Sequence, residues 1–259
     1  MDSKGIMNLF KKNIPIIIAG PCAIENEDFL YRTALGVKNS GATILRGGAF
    51  KPRTHPNNFQ GLGLPALKML YEVGKEVSLP TVTEVIDTRD VDIVATYADI
   101  LQIGSRNMYN YILIKEAAKT GKPILFKRGL SATLNEWKLI SNYIINEGNN
   151  NIIFCERGIR TYETATRNTL DLSIVPLLKQ QVNFPVIVDP SHGTGNASLV
   201  IPMAQAGIAC GADGLMIEVH CKPEIALCDG DQSLKLNEFE LLMKNVKKIY
   251  KSLYGSVEI

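Results

Sequence analysis

Two short apolar runs in the C-terminal part of the chain each lead to a residue of a type that binds metal ions. The first run, 185–188, precedes His192, and the second, 214–217, is followed directly by Glu218. Asp229 follows eleven residues after Glu218. Because the carboxyl ends of parallel strands meet at one edge of an α/β fold, we expect these three side chains to form one polar site at that edge.

The size, composition and charge of the chain disfavour several classes of partner. It has 259 residues, 46% of them hydrophobic, and a formal net charge of +2, which is too small to favour nucleic acid or an anionic membrane. No apolar run approaches the roughly 20 residues of a membrane-spanning helix, and residues 1–12 lack the apolar segment of a signal peptide. The five cysteines are an odd number without a CxxC spacing, so neither a disulfide framework nor a zinc ribbon is expected. We therefore expect a cytoplasmic protein.

Eight short apolar runs alternate along the chain with longer segments of helical spacing. The runs are rich in Ile and Val and nearly continuous, which is typical of parallel strands buried on both faces. They span residues 14–19, 42–45, 80–85, 100–103, 123–126, 151–155, 184–188 and 214–219. The helical segments span residues 29–39, 64–77, 109–120, 133–146, 169–180, 199–207 and 236–253. Eight such units exceed the usual number in a doubly wound open sheet, so the alternation predicts an α/β protein with a single (β/α)8 TIM barrel.

Cationic side chains follow many of the predicted strands, whose carboxyl ends face one shared site in a barrel. They are Arg46, Lys51, Arg53, Arg106, Lys127, Arg128 and Arg157. Arginine offers a rigid fork of donors that suits carboxylate and phosphate, and lysine offers a point charge. Gathering so many cations at one rim causes mutual repulsion unless multiply charged anions bind there. For any single member, pairing with a surface carboxylate is an equally good explanation.

A second set at the strand ends combines Cys22 with His192, Glu218 and Asp229. Sulfur, nitrogen and oxygen donors together suit a divalent ion such as manganese, iron, cobalt or zinc. Such an ion would act as a Lewis acid if one coordination position stayed open. Cys22 taken alone is better explained as a small buried side chain. The chain has no P-loop and no GxGxxG motif opening a βαβ unit, so no nucleotide cofactor is expected.

Five motifs at the predicted strand ends occur together in one enzyme family. They are Gly20-Pro-Cys22, Leu45-Arg-Gly-Gly-Ala-Phe-Lys-Pro-Arg-Thr54, Gly104-Ser-Arg-Asn107, Asp189-Pro-Ser-His-Gly-Thr-Gly195, and Ile217-Glu-Val-His220 with Asp229. In these the chain resembles 3-deoxy-D-arabino-heptulosonate 7-phosphate (DAHP) synthase of the short microbial subtype, which is related to 3-deoxy-D-manno-octulosonate 8-phosphate synthase. The resemblance covers residues 14–250, and the (β/α)8 barrel of that family agrees with the strand count.

The resemblance implies a condensation of phosphoenolpyruvate with erythrose 4-phosphate that releases inorganic phosphate, the first step of the shikimate pathway to aromatic amino acids. By similarity, Arg106, Lys127 and Arg157 bind the phosphate and carboxylate of phosphoenolpyruvate. Arg53 and Thr54 bind the aldose phosphate. The whole expected substrate-binding set is Arg46, Lys51, Arg53, Thr54, Ser105, Arg106, Lys127 and Arg157, with Ser105 in place of the usual alanine.

The resemblance also implies one divalent metal ion, held by Cys22, His192, Glu218 and Asp229. Manganese is the expected metal, with iron, cobalt or zinc as alternatives. The expected catalytic residues are Lys51, Cys22, His192 and Glu84. We hypothesise that Lys51, or a water on the metal, protonates the forming alkoxide, and that Glu84 orients the attacking water. Chelation should therefore abolish activity.

Two other enzyme types and one non-enzymatic function are alternatives. The octulosonate synthase uses arabinose 5-phosphate and usually carries Lys-Ala-Asn-Arg-Ser where this chain has Lys51-Pro-Arg-Thr54, which favours the four-carbon sugar. Sialic-acid-type synthases use an unphosphorylated sugar, so Arg53 would lack a phosphate to bind. A non-catalytic barrel that binds phosphorylated metabolites belongs to a different class, and the complete set of candidate ligands argues against it.

The expected organisation is one catalytic domain over residues 1–259. The short segment before the first strand leaves no room for the ferredoxin-like or ACT-type regulatory domain of some relatives, and no chorismate mutase module follows the last helix. We therefore expect weak or no feedback inhibition by aromatic amino acids. Because relatives are commonly homotetramers, we expect a homo-oligomer, either a tetramer or a dimer.

Overall fold

Eight parallel strands form a closed barrel in the computed structural model, which describes residues 2–11 and 14–255. The strands are β1 (Ile16–Gly20), β2 (Ile44–Arg46), β3 (Thr81–Glu84), β4 (Ile100–Ile103), β5 (Ile124–Lys127), β6 (Ile152–Glu156), β7 (Val186–Val188) and β8 (Gly214–Glu218). Each strand pairs with the next in the sequence, and β8 pairs with β1 to close the barrel. The predicted (β/α)8 barrel is confirmed, and every predicted strand is present to within two residues at each end.

Ten α-helices within residues 2–11 and 14–255 connect and cover the strands. They are α1 (Ser3–Leu9), α2 (Glu27–Ser40), α3 (Leu64–Glu76), α4 (Val91–Tyr97), α5 (Tyr111–Lys119), α6 (Leu134–Asn146), α7 (Ile174–Lys179), α8 (Pro190–Thr194), α9 (Ala197–Ala209) and α10 (Leu236–Tyr254). Among the helices of these described ranges, none combines the length and apolarity that crossing a membrane requires. The predicted domain of residues 1–259 also includes residues 1, 12–13 and 256–259, which lie outside the description. The absence of a regulatory domain stays a prediction.

The seven predicted helices are all present, but the one predicted at residues 169–180 was wrong at its start. Helix α7 begins only at Ile174. Thr169, where the helix was predicted to begin, instead pairs with Ile159 in an antiparallel bridge. The sequence pattern misses α1, α4 and α8, which have seven, seven and five residues. Helices this short are below the window of about 11 residues over which a helical period of apolar positions can be recognised.

The alternation of side chains along each strand divides the apolar core into two clusters. In β1, Ile17 and Ala19 pack between the strands and the surrounding helices, whereas Ile16 and Ile18 belong to a separate cluster. That second cluster takes one or two residues from each of the eight strands, so it is the interior of the barrel. Because both faces of each strand are apolar, the strands appear in the sequence as nearly continuous apolar runs.

Helix α1 closes the amino-terminal end of the barrel. Ile6 is fully buried in the interior cluster, and Met7, Leu9 and Phe10 pack against that cluster from α1 and the residue after it. The side chain of Asp2 caps the helix by accepting a hydrogen bond from the backbone N–H of Gly5 at 2.7 Å. Since apolar side chains fill this end, the polar strand ends that could do chemistry lie at the opposite, carboxyl end.

Ile6 is expected to contribute to stability through this closure. Replacing it with alanine (Ile6→Ala) should lower the free energy of unfolding by roughly 2–5 kcal/mol, because the lost side chain leaves a cavity in a packed interior. The matched control is Ile112→Ala on α5, where the side chain is 70% exposed and the expected change is within about 0.5 kcal/mol. Urea unfolding followed by circular dichroism measures both values. Equal stability of the two variants would contradict the proposed role of α1.

Candidate active site

The carboxyl ends of the strands surround a cavity of about 270 Å³. Eight cationic side chains line it, namely Arg46, Lys51, Arg53, Arg106, Lys127, Arg157, Arg160 and Arg167. Only two carboxylates, Glu84 and Asp229, line the same cavity among the described residues. This imbalance creates a strongly positive concave surface, which suits a ligand that carries several negative charges.

The cations at the base of the cavity are paired with buried carboxylates. Arg46 Nη1 lies 2.7 Å from Glu218 Oε1, and Lys127 Nζ lies 2.6 Å from Asp189 Oδ2. All four side chains are at least nine-tenths buried, where an unpaired charge would be strongly disfavoured. Burial opposes the charge on Arg46, but attraction to Glu218, Cys22 and Asp189 together outweighs burial and raises the pKa of Arg46. The base of the site is therefore a set of fixed charges.

Lys51 reaches the same base from the loop after β2. Its Nζ lies 3.0 Å from Cys22 Sγ and 3.3 Å from the backbone oxygen of Cys22. Burial disfavours the ammonium form, but the electric field of Cys22, Cys228 and Glu84 outweighs burial and raises the pKa of Lys51. Lys51 is thus protonated at neutral pH and presents a proton at the edge of the cavity.

The structure brings Cys22, His192, Glu218 and Asp229 together, as the sequence predicts. One ligand atom from each lies within 4.8 Å of every other. Cys22 Sγ is 3.1 Å from Asp229 Oδ2, and His192 Nε2 is 3.3 Å from Glu218 Oε1. Bonds from one metal ion to such donors are about 2.0–2.3 Å long, so two ligand atoms on one ion are roughly 3 to 4.6 Å apart, which is close to the separations found here. The donor types and their spacing therefore fit a single divalent ion.

His192 is oriented toward this group by Asp189. Its Nδ1 lies 2.7 Å from Asp189 Oδ2, and its backbone N–H donates to Asp189 Oδ1 at 3.0 Å. With Nδ1–H donating to a carboxylate, Nε2 is left as the lone-pair nitrogen that faces Glu218. Burial lowers the pKa of His192, although Asp189 and Glu218 act in the opposite direction. A neutral imidazole held by a carboxylate in this way is the form that binds metal ions.

Asp229 occupies an unusual backbone conformation for a residue other than glycine. Its φ of 53° and ψ of 35° lie in the left-handed region, which aspartate tolerates better than most side chains. Burial opposes ionisation of its carboxyl, but His192, Arg167, the hydrogen bond from Cys22, and Lys51 together outweigh burial and lower the pKa of Asp229. Such backbone strain persists where surrounding contacts impose it, and it is common at functional sites.

Glu84 ends β3 and lines the cavity, as predicted. Gln102 Nε2 donates to Glu84 Oε2 at 3.1 Å, which fixes one of the two carboxylate oxygens. The other oxygen lies against Gly104, where a Cβ atom would stand 1.9 Å from Glu84 Oε1. A side chain at position 104 would therefore displace the carboxylate of Glu84 from its present place.

The remaining predicted substrate-binding residues line the cavity as well. Thr54 and Ser105 are both among its walls, and the buried Ser105 Oγ has no hydrogen-bond partner among the described residues. Arg53 donates to Cys228 Sγ and forms no ion pair with any carboxylate in the described part of the chain. Arg106 has no ion pair there either. These donors are available to a ligand.

Arg128 follows β5 and was therefore expected at the cavity, but its side chain lies elsewhere. Its Nη1 lies 3.0 Å from Glu156 Oε2 and 3.1 Å from Asp171 Oδ2, and its Nε donates to the backbone oxygen of Ala132 at 3.0 Å. These buried contacts hold the base of the β5 and β6 loops. Arg128 does not line the cavity, so pairing with carboxylates is the correct explanation for this one cation.

Two cations that line the cavity were missed from the sequence. Arg160 and Arg167 lie in the long loop between β6 and α7. They follow Arg157, which comes directly after the end of β6. Arg160 is held at the base of this loop because its backbone N–H donates to the oxygen of Leu130 at 2.7 Å. The loop returns to the cavity through long-range contacts, and no spacing in the sequence signals that return.

Comparison with known proteins gives a consistent result. Residues 10–253 match the model of the DAHP synthetase I family. The phospho-2-dehydro-3-deoxyheptonate aldolase of Thermotoga maritima is 48% identical over 237 residues, which cover 92% of this chain and 70% of that protein. The 2-dehydro-3-deoxyphosphooctonate aldolase of Geotalea uraniireducens is 32% identical over 254 residues, which cover 90% of this chain and 92% of that protein.

Solved structures agree with the sequence comparisons. The crystal structure of the Thermotoga maritima DAHP synthase aligns with a TM-score of 0.91 at 48% identity, covering 93% of this chain and 71% of that one. A truncated form of the same enzyme aligns with a TM-score of 0.88 at 46% identity, covering 93% and 88%. The resemblance seen in the strand-end motifs is thereby confirmed over nearly the whole barrel, and the chain belongs to the DAHP synthetase I family.

Proposed function

We propose that the protein condenses phosphoenolpyruvate with erythrose 4-phosphate to give DAHP and inorganic phosphate, the first step of the shikimate pathway. The observation that carries this proposal is a cavity lined by eight cations and adjoining a group of four metal-type ligands, two of which, His192 and Asp229, also line it. Two phosphorylated substrates account for the excess of positive charge. The 48% identity with the Thermotoga maritima enzyme supports the same reaction.

Phosphoenolpyruvate would bind at the base of the cavity. Lys127 and Arg157 are buried there, 3% and 5% exposed, and Arg106 approaches from the loop after β4. Together they offer a point charge and two guanidinium forks to a phosphate and a carboxylate. The hydroxyl of Ser105 supplies a further donor beside Arg106.

The aldose phosphate would bind nearer the mouth, at Arg53 and Thr54. Arg53 has no carboxylate partner among the described residues, and the hydroxyl of Thr54 stands beside it on the same loop. An arginine fork and a hydroxyl are suitable donors for a terminal phosphate. The Lys51-Pro-Arg-Thr54 segment supports the four-carbon sugar over arabinose 5-phosphate, the expected acceptor of an octulosonate synthase.

Cys22, His192, Glu218 and Asp229 would hold the divalent ion, for which manganese is proposed, with iron, cobalt and zinc as alternatives. A bound ion of this kind supplies Lewis acidity toward the aldehyde carbonyl. Cys22 and His192 serve the reaction as ligands. The sulfur of Cys22 and the Nε2 atom of His192 face the same point as the two carboxylates.

The chain's own groups then account for the proton transfers. C3 of the enol phosphate attacks the aldehyde carbon, and the Lys51 ammonium gives a proton to the oxygen that becomes the alkoxide. Water, oriented by Glu84, adds to C2 and gives one proton to the Glu84 carboxylate, from which that proton returns to Lys51 through solvent. The resulting hemiketal phosphate then releases inorganic phosphate, which carries away the hydroxyl proton and leaves the keto group. The arginines around the cavity stabilise the anionic oxygens throughout.

We further propose that the protein works in the cytoplasm as a homo-oligomer, a tetramer or a dimer. The odd number of cysteines supports a reducing location. Exposed apolar side chains on neighbouring helices, such as Tyr111, Ile112 and Tyr143, support contact between subunits. Its partners would otherwise be small molecules, with no nucleotide cofactor.

The proposed reaction is tested by measuring phosphate release from phosphoenolpyruvate with erythrose 4-phosphate or arabinose 5-phosphate as the acceptor. We expect erythrose 4-phosphate to react at least about 100-fold faster, a chelator to abolish the activity, and added Mn²⁺ to restore it. Faster reaction with arabinose 5-phosphate would assign the octulosonate synthase reaction instead. Absence of phosphate release with either sugar would favour a non-catalytic barrel, and full activity without metal would contradict the metal site.

Because the two substrates are proposed to bind at separate subsites, two arginine variants should each raise the KM for a different substrate. Arg53→Ala should raise the KM for erythrose 4-phosphate by about 10-fold or more and change the KM for phosphoenolpyruvate little, because a charge-assisted contact to one phosphate is lost. Arg106→Ala should do the reverse. Steady-state kinetics with each substrate varied in turn measures both, and each variant is the control for the other. Equal effects on both substrates would show that the two arginines do not divide the subsites.

A further inference from the structure

Two polar side chains outside the metal-ligand group connect its two carboxylates. Arg167 Nη1 donates to Gln232 Oε1 at 2.7 Å, and Gln232 Nε2 donates in turn to Glu218 Oε2. The same Nη1 of Arg167 lies 3.4 Å from Asp229 Oδ1. One arginine and one amide therefore link Glu218 to Asp229, and neither belongs to any motif recognised in the sequence.

The donor and acceptor chemistry allows only one orientation of the Gln232 side chain. Arginine only donates hydrogen bonds, so the amide oxygen of Gln232 must face Arg167, and the amide nitrogen then faces the carboxylate of Glu218. Gln232 is 3% exposed, so water cannot easily replace either bond. Its contact fixes Oε2 of Glu218, while Oε1 stays beside Arg46 at 2.7 Å and His192 Nε2 at 3.3 Å.

The backbone around Arg167 also holds the turn that carries His192. The N–H of Arg167 donates to the oxygen of Thr194 at 2.9 Å, and the N–H of Asn168 donates to the oxygen of Gly193 at 3.0 Å. The side chain of Asn168 donates to the backbone oxygen of His192 at 2.8 Å. Residues 167–168 of the β6–α7 loop thus contact Asp229 and the backbone around His192 directly, and they reach Glu218 through Gln232.

The positive charge of Arg167 reduces the repulsion between two neighbouring carboxylates. Glu218 and Asp229 are two carboxylates whose ligand oxygens lie within 4.8 Å of each other, and like charges this close repel. Arg167 is a cation placed between the two groups, directly beside Asp229 and one amide away from Glu218. It reduces the repulsion that would otherwise push the carboxylates apart before an ion binds.

We infer that Arg167 and Gln232 are positioning residues for the metal ion, holding the carboxylates of Glu218 and Asp229 at the separation that one divalent cation needs. This inference rests on the proposed metal site. It does not depend on which substrates the protein uses. Groups that orient metal ligands typically change metal affinity by 10- to 100-fold when they are removed.

The test measures metal binding to metal-free protein in the absence of any substrate. Gln232→Leu and Arg167→Leu should each raise the Kd for Mn²⁺ by about 10- to 100-fold, read from the signal of free Mn²⁺ in electron paramagnetic resonance. The visible absorption of bound Co²⁺ should shift in both variants, because the geometry around the ion changes. The double variant should show much less than the product of the two effects, since both residues act through one chain of contacts.

Three controls make the result specific. Arg32→Leu removes a cation that is 48% exposed on α2, pairs with Asp28 and does not line the cavity, and it should leave the Kd for Mn²⁺ within about twofold of the parent. Arg167→Lys keeps the charge without the fork, and its Kd should fall between those of the parent and Arg167→Leu. Thermal unfolding of each metal-free variant shows whether the barrel is intact. If Gln232→Leu does not fold, Gln232→Asn replaces it with the same expectation.

A Kd for Mn²⁺ within about threefold of the parent in folded variants of both residues would overturn the inference. For Arg167 it would also be overturned by an unchanged Kd together with a raised KM for a phosphorylated substrate, because that result makes Arg167 a direct substrate contact. Failure of the condensation reaction in the parent protein would leave the metal-binding comparison valid. The two proposals can therefore fail separately.

Discussion

The ion pair between Arg46 and Glu218 is the interaction on which the rest of the site depends. Arg46 ends β2 and Glu218 ends β8, and the two strands lie on either side of β1. β1 itself ends at Gly20, where a Cβ atom would stand 2.2 Å from the backbone oxygen of Arg46. A glycine here lets the three strand ends approach closely. Glu218 is completely buried, and a carboxylate at that depth is tolerated as an anion because Arg46 accompanies it.

The same requirement for charge compensation joins the two halves of the site. Asp189 accepts from Lys127 Nζ at 2.6 Å and is 2.7 Å from His192 Nδ1 through the same oxygen, Oδ2. One carboxylate thus positions a cation that lines the cavity and an imidazole that belongs to the group of candidate metal ligands. A shift of either partner would disturb the other. Under the proposed function, the binding of the anion and the binding of the metal ion would therefore be coupled through Asp189.

The architecture of the barrel determines where this polar network can exist. The interior cluster and α1 fill the amino-terminal end with apolar side chains, and the buried charged side chains of residues 2–11 and 14–255 lie in the layer at the carboxyl ends of the strands. Water is largely excluded from that layer, which strengthens each charge–charge interaction compared with bulk solvent. Once the deepest carboxylates are paired, positive charge remains in excess around the cavity. Bound phosphates would offset its repulsion.

Much of this protein could be predicted from local sequence. The eight strands are continuous apolar runs because both of their faces are buried, and that pattern is visible without a structure. The ligand types His192, Glu218 and Asp229 were apparent from their positions at strand ends, whereas Cys22, which taken alone is better explained as a small buried side chain, gained its role as a ligand candidate from the residues around it and from the family motif. Tertiary structure decided the rest. Arg128 and Arg106 both follow strands, yet only Arg106 lines the cavity, because Glu156 and Asp171 draw Arg128 inward.

The contact between Arg167 and Gln232 could not be predicted from local sequence either. The two residues lie 65 positions apart and meet only in the folded chain. Local sequence determines which segments become strands and helices, because burial of apolar side chains follows a short period along the chain. Which charges pair, and which remain available to a ligand, depends on contacts between residues distant in sequence. Those contacts are settled only when the barrel closes.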